Sequence, residues 1–595
     1  MKGLGILFCG LTFLVIAAFF MLLPDIRTIR RDERPGGEFT RKDRLCCLAV
    51  TVIYAALAFF RLGNAEAPQS FAEFRAGEEA ILLLEEPSRI DSVLFYTGIN
   101  TGSYSFAFSP DGTDYTEAFT FEQNYAQILK WVEPEFPEVT AEAVCAVRIT
   151  VSGNDPWLGE AAFFLEGTQL RVKAGNEAGK RLIDEQEQVP EESNWRNSSY
   201  FDEVYHVRTA EEHIRGMQPY EISHPPLGKL LLSLGIRLFG LTPFGWRFMG
   251  TLFGVLMLPV MYLFLKKLAG GTFVSTCGTI LFASDFMHFV QTRIATIDTY
   301  VVFFILLMYW FMYRYGCDGK KRDLALSGVF FGIGAACKWT CLYAGAGLAV
   351  IWLALQIVRL CDRTIPVRLR WERVVCSCVW CLLFFVLIPA CIYTVSYIPY
   401  GTARGMSGSG MLLKREYLDL VLENQRFMFS YHSGVTATHP YSSLWYQWVL
   451  DIRPILYYLQ YYPNGDYASI AAFVNPLLCW GGLTAMIMLV FRAIASRDGT
   501  AAFLVAGYLG QLIPWVFVRR VVFEYHYFPS TVFLVLAMGY LFSFMEKAKR
   551  GRTAVIVFTA VSVLLFILFY PVLSALRVNR EVFTAILGWL PGWPI

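Results

Sequence analysis

The chain has 595 residues, of which 55% are hydrophobic, 16% aromatic and only 17% charged, with a mean hydropathy of +0.44. A soluble domain averages about 25% charged residues, so the composition excludes an assembly of soluble domains and points to a polytopic membrane protein. The formal net charge of +2 gives no electrostatic footprint for nucleic acid.

Apolar runs of the length a bilayer demands, about 20 residues, are read at 5–23, 45–62, 246–265, 271–289, 299–314, 323–337, 340–358, 374–397, 469–491, 500–517, 527–545 and 554–576. That is about twelve predicted spans, with the pair at 323–358 interrupted by Lys338. The first run has one leading Lys, no small-x-small cleavage site and a basic segment behind it, which does not suit a signal peptide. That segment holds Arg27, Arg30, Arg31, Arg34, Arg41, Lys42 and Arg44, and the positive-inside rule assigns it to the cytoplasm. If the spans alternate, the clusters at Lys266/Lys267, Lys320–Arg322, Arg363–Arg373, Arg492/Arg497 and Lys547–Arg552 fall on the same side. Residues 63–245, 399–468 and the turns near 290–298 and 518–526 are then external, as are both termini. All seven His lie on or near that external side. The 14 Cys lie mostly in apolar runs and give neither a disulfide framework nor a zinc pattern.

Residues 66–175 change character. Strand-like runs at Ala80–Leu84, Ser92–Tyr96, Tyr104–Phe108, Val144–Val151 and Ala161–Glu166 are separated by turn signals at Pro110–Gly112 and Gly153–Pro156. They predict a β-sandwich of about 100 residues. The pattern resembles discoidin-like, galactose-binding jelly rolls over about 80 residues; glycan or wall contact and a spacer or lid are both open readings of it. Residues 176–198, polar and Glu-rich, suit a linker. Asn197-Ser198-Ser199 matches a glycosylation sequon.

The charged residues that follow are unusual for their setting. Asp202-Glu203 is an acidic pair at a polar–apolar boundary, within Tyr200–His206. His224-Pro225-Pro226 sets an extended turn, because Pro locks its own φ and restricts the residue before it. The apolar stretch Leu230–Phe239, carrying Arg237, suits an interfacial helix. Arg247 lies about one turn inside a span, where a charge is costly and faces a cavity or a partner. Asp285, Arg293 and Asp298 bracket an external turn; Lys338 sits at the next one, and Arg453, Arg519, Arg520, Glu524 and His526 lie on later ones.

The motifs Phe201-Asp-Glu-x-x-His206, His224–Lys229, Trp246-Arg247, Arg293–Thr299, Lys338–Thr340, Tyr431-His432, Thr438–Trp445, Trp448, Arg453-Pro454, Asn475-Pro476 and Phe523–Pro529 together resemble the protein O-mannosyltransferase family across most of residues 195–545. The resemblance implies a GT-C fold: an α-helical polytopic membrane protein carrying the extracytoplasmic sandwich. It implies an inverting enzyme that moves mannose from a polyprenyl-phosphate carrier to Ser or Thr of exported proteins at the outer face of the plasma membrane. In the family pattern Asp202 is the base and Glu203 orients acceptor or sugar. Substrate-binding candidates are His206, His224, Lys229, Arg247, Arg293, Asp298, Lys338, His439, Arg453, Arg519, Arg520 and His526. No HxxxH or HExxH spacing occurs; the resemblance implies no metal, and no cofactor is expected. The loop 399–468 is too short for the β-trefoil insertion of eukaryotic members, so a bacterial-type member using undecaprenyl or decaprenyl phosphate fits better. The first span and the sandwich depart from the family pattern and leave the acceptor open.

The chemistry asks for a base at the acceptor hydroxyl and positive charge where the departing phosphate gains charge. Arg247 and Arg293 rank first for the phosphate, ahead of Lys338, Arg453, Arg519 and Arg520. No P-loop or strand-borne GxGxxG suggests a nucleotide sugar. The expected organisation is two N-terminal spans with a basic loop (1–64), the sandwich (65–180), a catalytic membrane domain (181–398), an external loop (399–468) and C-terminal spans (469–595). Two alternatives stand beside this reading. One is a GT-C transferase passing another lipid-linked sugar to a lipid or wall polymer. The other is a secondary transporter, against which the lack of an internal repeat and the one-sided polar residues both count.

Overall fold

The computed structural model describes residues 3–27, 37–75, 77–135, 143–153, 156–408 and 410–593. Arg30, Arg31 and Arg34 of the basic segment, and Asn154 and Asp155 of the expected turn, lie outside the described residues. The chain forms two compact units, one of residues 1–60, 222–230 and 250–595, the other of residues 61–221 and 231–249.

Every predicted span is helical over most of its length, but fewer qualify as full crossings. Among the described residues nine helices are long and apolar enough, or ten if Thr272–Ala283 and Phe286–Thr292, bent by 58°, count as one span. The expectation of about twelve therefore contracts. Lys321–Cys337 is only 17 residues long, and Arg41–Phe59 opens with four charged residues, Arg41 to Arg44. The predicted span at 469–491 starts later. Residues Asp466–Ala472 form a strand paired with Ile455–Tyr461, and the helix begins at Pro476, where Asn475 caps the Leu477 amide. Proline at a helix start is favoured because its missing N–H would be unpaired there anyway. The chain breaks between helices at Lys338-Trp339, with Lys338 extended (φ −158°).

Two buried ionic clusters fasten the helical unit. Asp43 is fully buried; its carboxylate accepts from the Thr40 amide (2.9 Å) and the Tyr262 hydroxyl (2.9 Å) and lies 3.0 Å from the Lys266 ammonium. Asp498 accepts from Arg492 (2.6 Å) and from the Tyr540 hydroxyl (2.6 Å). Elsewhere in the unit, Asp451 follows the short helix Trp445–Val449 and is fully buried beside Glu524. Burial pushes its carboxyl well above the ordinary carboxylate range, against the opposing hydrogen bonds from Glu524 and the Val474 amide.

The other unit carries two antiparallel sheets. One orders Val172–Ala174, Glu79–Ser88, Val144–Gly153, Gly102–Ser109 and Thr116–Gln123; the other orders Ala72–Glu73, Trp157–Leu165, Ser92–Thr97 and Trp131–Val132, with Thr168–Gln169 paired to Trp157–Leu165. A single apolar core joins them, with Leu82, Phe106 and Val147 from the first and Val93, Phe95 and Phe163 from the second. The strand Thr116–Gln123 carries no clear sequence signal because half of its residues, Thr116, Glu117, Thr120 and Glu122, are exposed and polar. The segment 176–198 is not a free linker. Asn176 caps a short helix and also bonds the Ile81 amide, Leu182 is buried in the sheet core, and the Arg196 carbonyl accepts from the Asn64 amide. The sequon residue Asn197 is 5% exposed with its amide engaged by the Glu192 carbonyl, so the folded chain does not present it for glycosylation. Glu160, Asp184 and Glu185 bring carboxylate oxygens within 4.8 Å of one another. Glu160 already accepts from Gln186 and the Glu185 amide, and burial pushes it up to about 8, so it is mostly protonated at neutral pH.

Removing the Asp43 carboxylate leaves the Lys266 ammonium buried and unpaired. Asp43→Ala should therefore lose about 3–5 kcal/mol in equilibrium unfolding in detergent; an unchanged unfolding curve would remove this pair from the fold's supports. Asp451 makes a pH-dependent prediction. Its native carboxyl, shared with Glu524, binds the proton more tightly than the unfolded chain does, so its stabilising contribution is complete below the ordinary carboxylate range and is lost as pH rises above it. Asp451→Asn should accordingly gain stability relative to wild type between pH 5 and pH 8. A stability difference that does not change with pH would contradict the assignment.

Candidate active site

In the sheet-bearing unit, the acidic pair divides into two unlike groups. Phe201 adopts a left-handed backbone (φ +50°), and the helix Glu203–Arg215 starts directly after Asp202. The Asp202 carbonyl accepts from the Tyr205 and His206 amides, and its side chain makes no capping bond to the helix. Asp202 is half-buried. Glu203 is fully buried and is gripped by the Arg247 guanidinium, with Nε to Oε1 and Nη2 to Oε2 both at 2.8 Å, and by the Trp246 indole at 3.3 Å. Arg247 is likewise fully buried. Its remaining donors reach the Leu62 carbonyl (3.1 Å) and the Ser198 carbonyl (3.0 Å), and the rings of Tyr200, Trp195 and Trp246 lie 4.8–5.8 Å from its Cζ. Gly63 has to be glycine here, because a Cβ would lie 2.8 Å from Pro243 and 2.9 Å from the Arg247 guanidinium. Such a bidentate fork fixes geometry as well as charge. Arg247, ranked first for phosphate on sequence grounds, thus turns its guanidinium toward Glu203 and two backbone carbonyls. His206 is buried on the same helix.

In the helical unit, His224, Lys338, Trp339, Tyr343, His432, Arg519 and Arg520 line a cleft of about 550 Å³. His224 and His432 stack with centroids 5.1 Å apart, and His432 Nε2 contacts the Ser223 carbonyl at 2.9 Å. Lys229 is buried and donates to the His224 carbonyl at 3.2 Å, which braces the Pro-Pro turn from within. Gly228 is required by close approach: a Cβ there would meet Ile297 at 2.8 Å. The Lys338 ammonium donates to both Asp298 oxygens (2.8 and 2.9 Å) and stands 5.6 Å from the Tyr525 ring. Asp298 opens its helix, so the pair is held at an N-terminus, where negative charge is favoured. Phe517 (77% exposed) and Phe429 (68% exposed) also line the cleft, which therefore pairs cationic walls with large apolar side chains.

The other candidates sit elsewhere or act as supports. His526 is 5% exposed and packed among Tyr525, Trp515 and Trp448; Trp515 is the ring that connects this aromatic cluster to the cleft wall. His439 packs edge-on to Phe523, and burial lowers its imidazole below the ordinary range. Arg453 donates to the Pro440 carbonyl and tethers a loop. Arg293, the other residue ranked first, donates to the Ala58 and Phe60 carbonyls at 3.0 and 2.9 Å and lies over the Phe289 ring. It closes the end of the Arg41–Phe59 helix, whose last carbonyls have no intrahelical partner. His432 belongs to a sequence motif but not to the expected ligand set; its stacking on His224 is a contact between residues 208 positions apart that no local pattern reveals.

Two family models match the chain, one described as dolichyl-phosphate-mannose-protein mannosyltransferase over residues 223–388, the other as the C-terminal four-span region of protein-O-mannosyltransferase over residues 417–593. A Mycobacterium tuberculosis protein named polyprenol-phosphate-mannose–protein mannosyltransferase is 24% identical over 428 residues, covering 62% of this chain and 81% of that protein. The protein of that name from Corynebacterium glutamicum is 26% identical over 427 residues, with the same coverage. Among solved structures, the S. cerevisiae protein O-mannosyltransferase Pmt1–Pmt2 complex bound to the sugar donor superposes with a TM-score of 0.58 at 15% identity, over 67% of this chain and 89% of that one, a likeness of fold. The segment that forms the two sheets lies outside both family models. With its helical fold, its motifs and these matches taken together, the chain belongs to the protein O-mannosyltransferase family.

Proposed function

We propose that this protein transfers mannose from a polyprenyl-phosphate carrier to Ser or Thr hydroxyls of exported proteins, with inversion at the sugar, at the outer face of the plasma membrane. The observation that carries the reading is the chemistry of the cleft, where Lys338, Arg519, Arg520, His224 and His432 stand beside Phe429 and Phe517. A lipid-linked sugar phosphate is the ligand class that needs both: cations for the phosphate, apolar surface for the first isoprene units. The names of the bacterial relatives supply the sugar and the acceptor class.

In this mechanism Asp202 accepts the proton of the acceptor hydroxyl as its oxygen attacks the mannosyl C1. The bond from C1 to the phosphate oxygen breaks, and the polyprenyl phosphate departs carrying the electron pair. Positive charge already in place lowers the barrier to that departure, since no reorganisation is needed as charge develops. Arg519 and Arg520 bind the phosphate directly, and Lys338, oriented by Asp298, adds a fixed charge. Asp202 suits the base role because it stays partly accessible while its neighbour does not: Glu203 is sealed in its ion pair with Arg247. Arg247 and Glu203 act as positioning groups for Asp202, and Arg293 holds backbone.

The direct test incubates membranes containing the protein with radiolabelled polyprenyl-phosphate-mannose and a Thr-containing peptide; label should enter the peptide. Label entering only lipid or polysaccharide would reject this reading for a transferase with a different acceptor. Asp202→Asn should lower kcat by about 10²–10⁴, the span for loss of a general base, with the protein folded and inserted as before. Turnover close to wild type would remove Asp202 from the base role. Arg519→Ala combined with Arg520→Ala should raise the donor KM by about ten- to a hundredfold, the scale of a lost charge-assisted hydrogen bond, and leave the acceptor KM in place. A rise confined to the acceptor KM would reassign the cleft.

A further inference from the structure

The two-sheet domain supplies none of the reacting groups, yet the segment leading to Asp202 is built onto it. The Trp131 amide donates to Ser198 Oγ at 3.0 Å, the Ser199 amide donates to the Leu129 carbonyl at 2.9 Å, and Ser199 Oγ donates to the Ile128 carbonyl at 2.5 Å. Ser198 and Ser199 are 4% and 3% exposed, so these bonds are shielded from water. The Ser198 carbonyl in turn accepts from Arg247, which forks Glu203. A continuous set of hydrogen bonds therefore runs from the strand Trp131–Val132 to the residue beside Asp202. Leu129 (φ +54°) and Phe201 (φ +50°) sit at its two ends in a left-handed conformation that disfavours bulky residues. Such backbone persists only where the surroundings impose it, and it clusters at working sites.

A second attachment lies on the helix that Asp202 begins. Tyr125, in the short turn Tyr125–Gln127 of the sheet domain, stacks on Tyr205 with centroids 5.8 Å apart and rings inclined at 24°. Tyr125 is 52% exposed, so this aromatic pair can be reached from solvent. On the same helix Arg208 donates to the Asn100 side chain at 3.0 Å, a further bond to the sheet domain. Tyr205 follows Asp202 by three residues, roughly one helical turn of 5.4 Å. An extended polypeptide advances about 3.3 Å per residue. With its Ser or Thr hydroxyl at Asp202, an acceptor chain can thus bring a residue about two positions away onto the Tyr205–Tyr125 pair.

We propose that the sheet domain supplies the acceptor-binding surface of the enzyme, and that Tyr125 is the residue that holds the acceptor polypeptide two or three positions from the reacting Ser or Thr. The proposal rests on the mannosyl-transfer reading above. An open tyrosine face suits peptide-bond planes, prolines and apolar side chains, and a rigid ring loses little conformational freedom on contact. The ligand class is an extended, unfolded segment of an exported protein.

The test uses the full-length protein in detergent or nanodiscs with a fluorescent Thr-containing peptide, measuring peptide binding without donor and transfer kinetics with it. Tyr125→Ala should raise the peptide Kd and KM by about three- to tenfold, the scale of a lost aromatic contact. The donor KM and kcat at saturating peptide should stay at wild-type values, and Tyr125→Phe should restore peptide affinity. An unchanged peptide KM in Tyr125→Ala, with the wild type active, overturns this inference alone. A fall in kcat or a change in donor KM without a change in peptide Kd also overturns it, since that pattern belongs to a structural role. A wild-type protein that binds no peptide and mannosylates none overturns both the inference and the function on which it rests.

Discussion

The ion pair between Glu203 and Arg247 is the constraint around which the segment at Asp202 is organised. Both side chains are fully buried, and neither would tolerate that burial alone, because a lone charge out of water is far more costly than a pair held in fork geometry. Arg247 also recruits the Leu62 and Ser198 carbonyls, and those two contacts fix the chain on either side of the sheet domain. The absence of a side chain at Gly63 follows from the same demand for close approach. Asp202, the neighbouring acid, is half-buried and makes no capping bond to the helix it precedes. An adjacent Asp and Glu thereby occupy unlike surroundings, and in the proposed mechanism they take separate tasks, one as reagent and one as scaffold.

The helical unit solves a similar problem with the opposite charge. Lys338 stands at a break between two helices, and Asp298, at the start of another, holds its ammonium with both oxygens. A lysine so held has its charge fixed in place, which is what the proposed phosphate role requires. Arg519 and Arg520 lie on the neighbouring loop beside exposed phenylalanine, and the stacked histidines complete the wall. The cleft is therefore amphiphilic in the same sense as a lipid-linked sugar phosphate. The buried Asp451–Glu524 contact, by comparison, lies in the supporting structure, where two carboxyls in contact and out of water must share a proton.

Much of this is legible in the sequence wherever a residue's own covalent chemistry decides its conformation. The Pro-Pro turn before Leu227, the helix start at Asn475-Pro476 and the break at Lys338 are all readable, as is the acidic pair ahead of an apolar stretch. Strands with buried alternation announce themselves, whereas Thr116–Gln123, which turns polar residues outward, does not. The less legible features depend on which partner a side chain meets across long stretches of chain. Arg247 and Arg293 look like phosphate ligands by position, but each meets carbonyl oxygens that would otherwise be unpaired, and Arg247 meets Glu203 besides. Apolar length likewise overcounts the membrane crossings, because a 17-residue helix and a helix with a charged first turn fall short of a full span. The Glu-rich segment 176–198 reads as a tether because its anchors, Leu182 and Ser198, are single residues among polar neighbours.

A single base and a single displacement on a lipid-linked mannose leave one chemical signature, inversion at C1. The anomeric configuration of the product reports on this directly. Purified protein supplied with polyprenyl-phosphate-mannose of defined anomer and a Thr peptide should yield a mannosyl-threonine of the opposite anomer, read from the one-bond C1–H1 coupling in the NMR spectrum. A product that retains the donor's configuration would require a covalent or two-step path and would contradict both the base role of Asp202 and the scaffold role of Glu203.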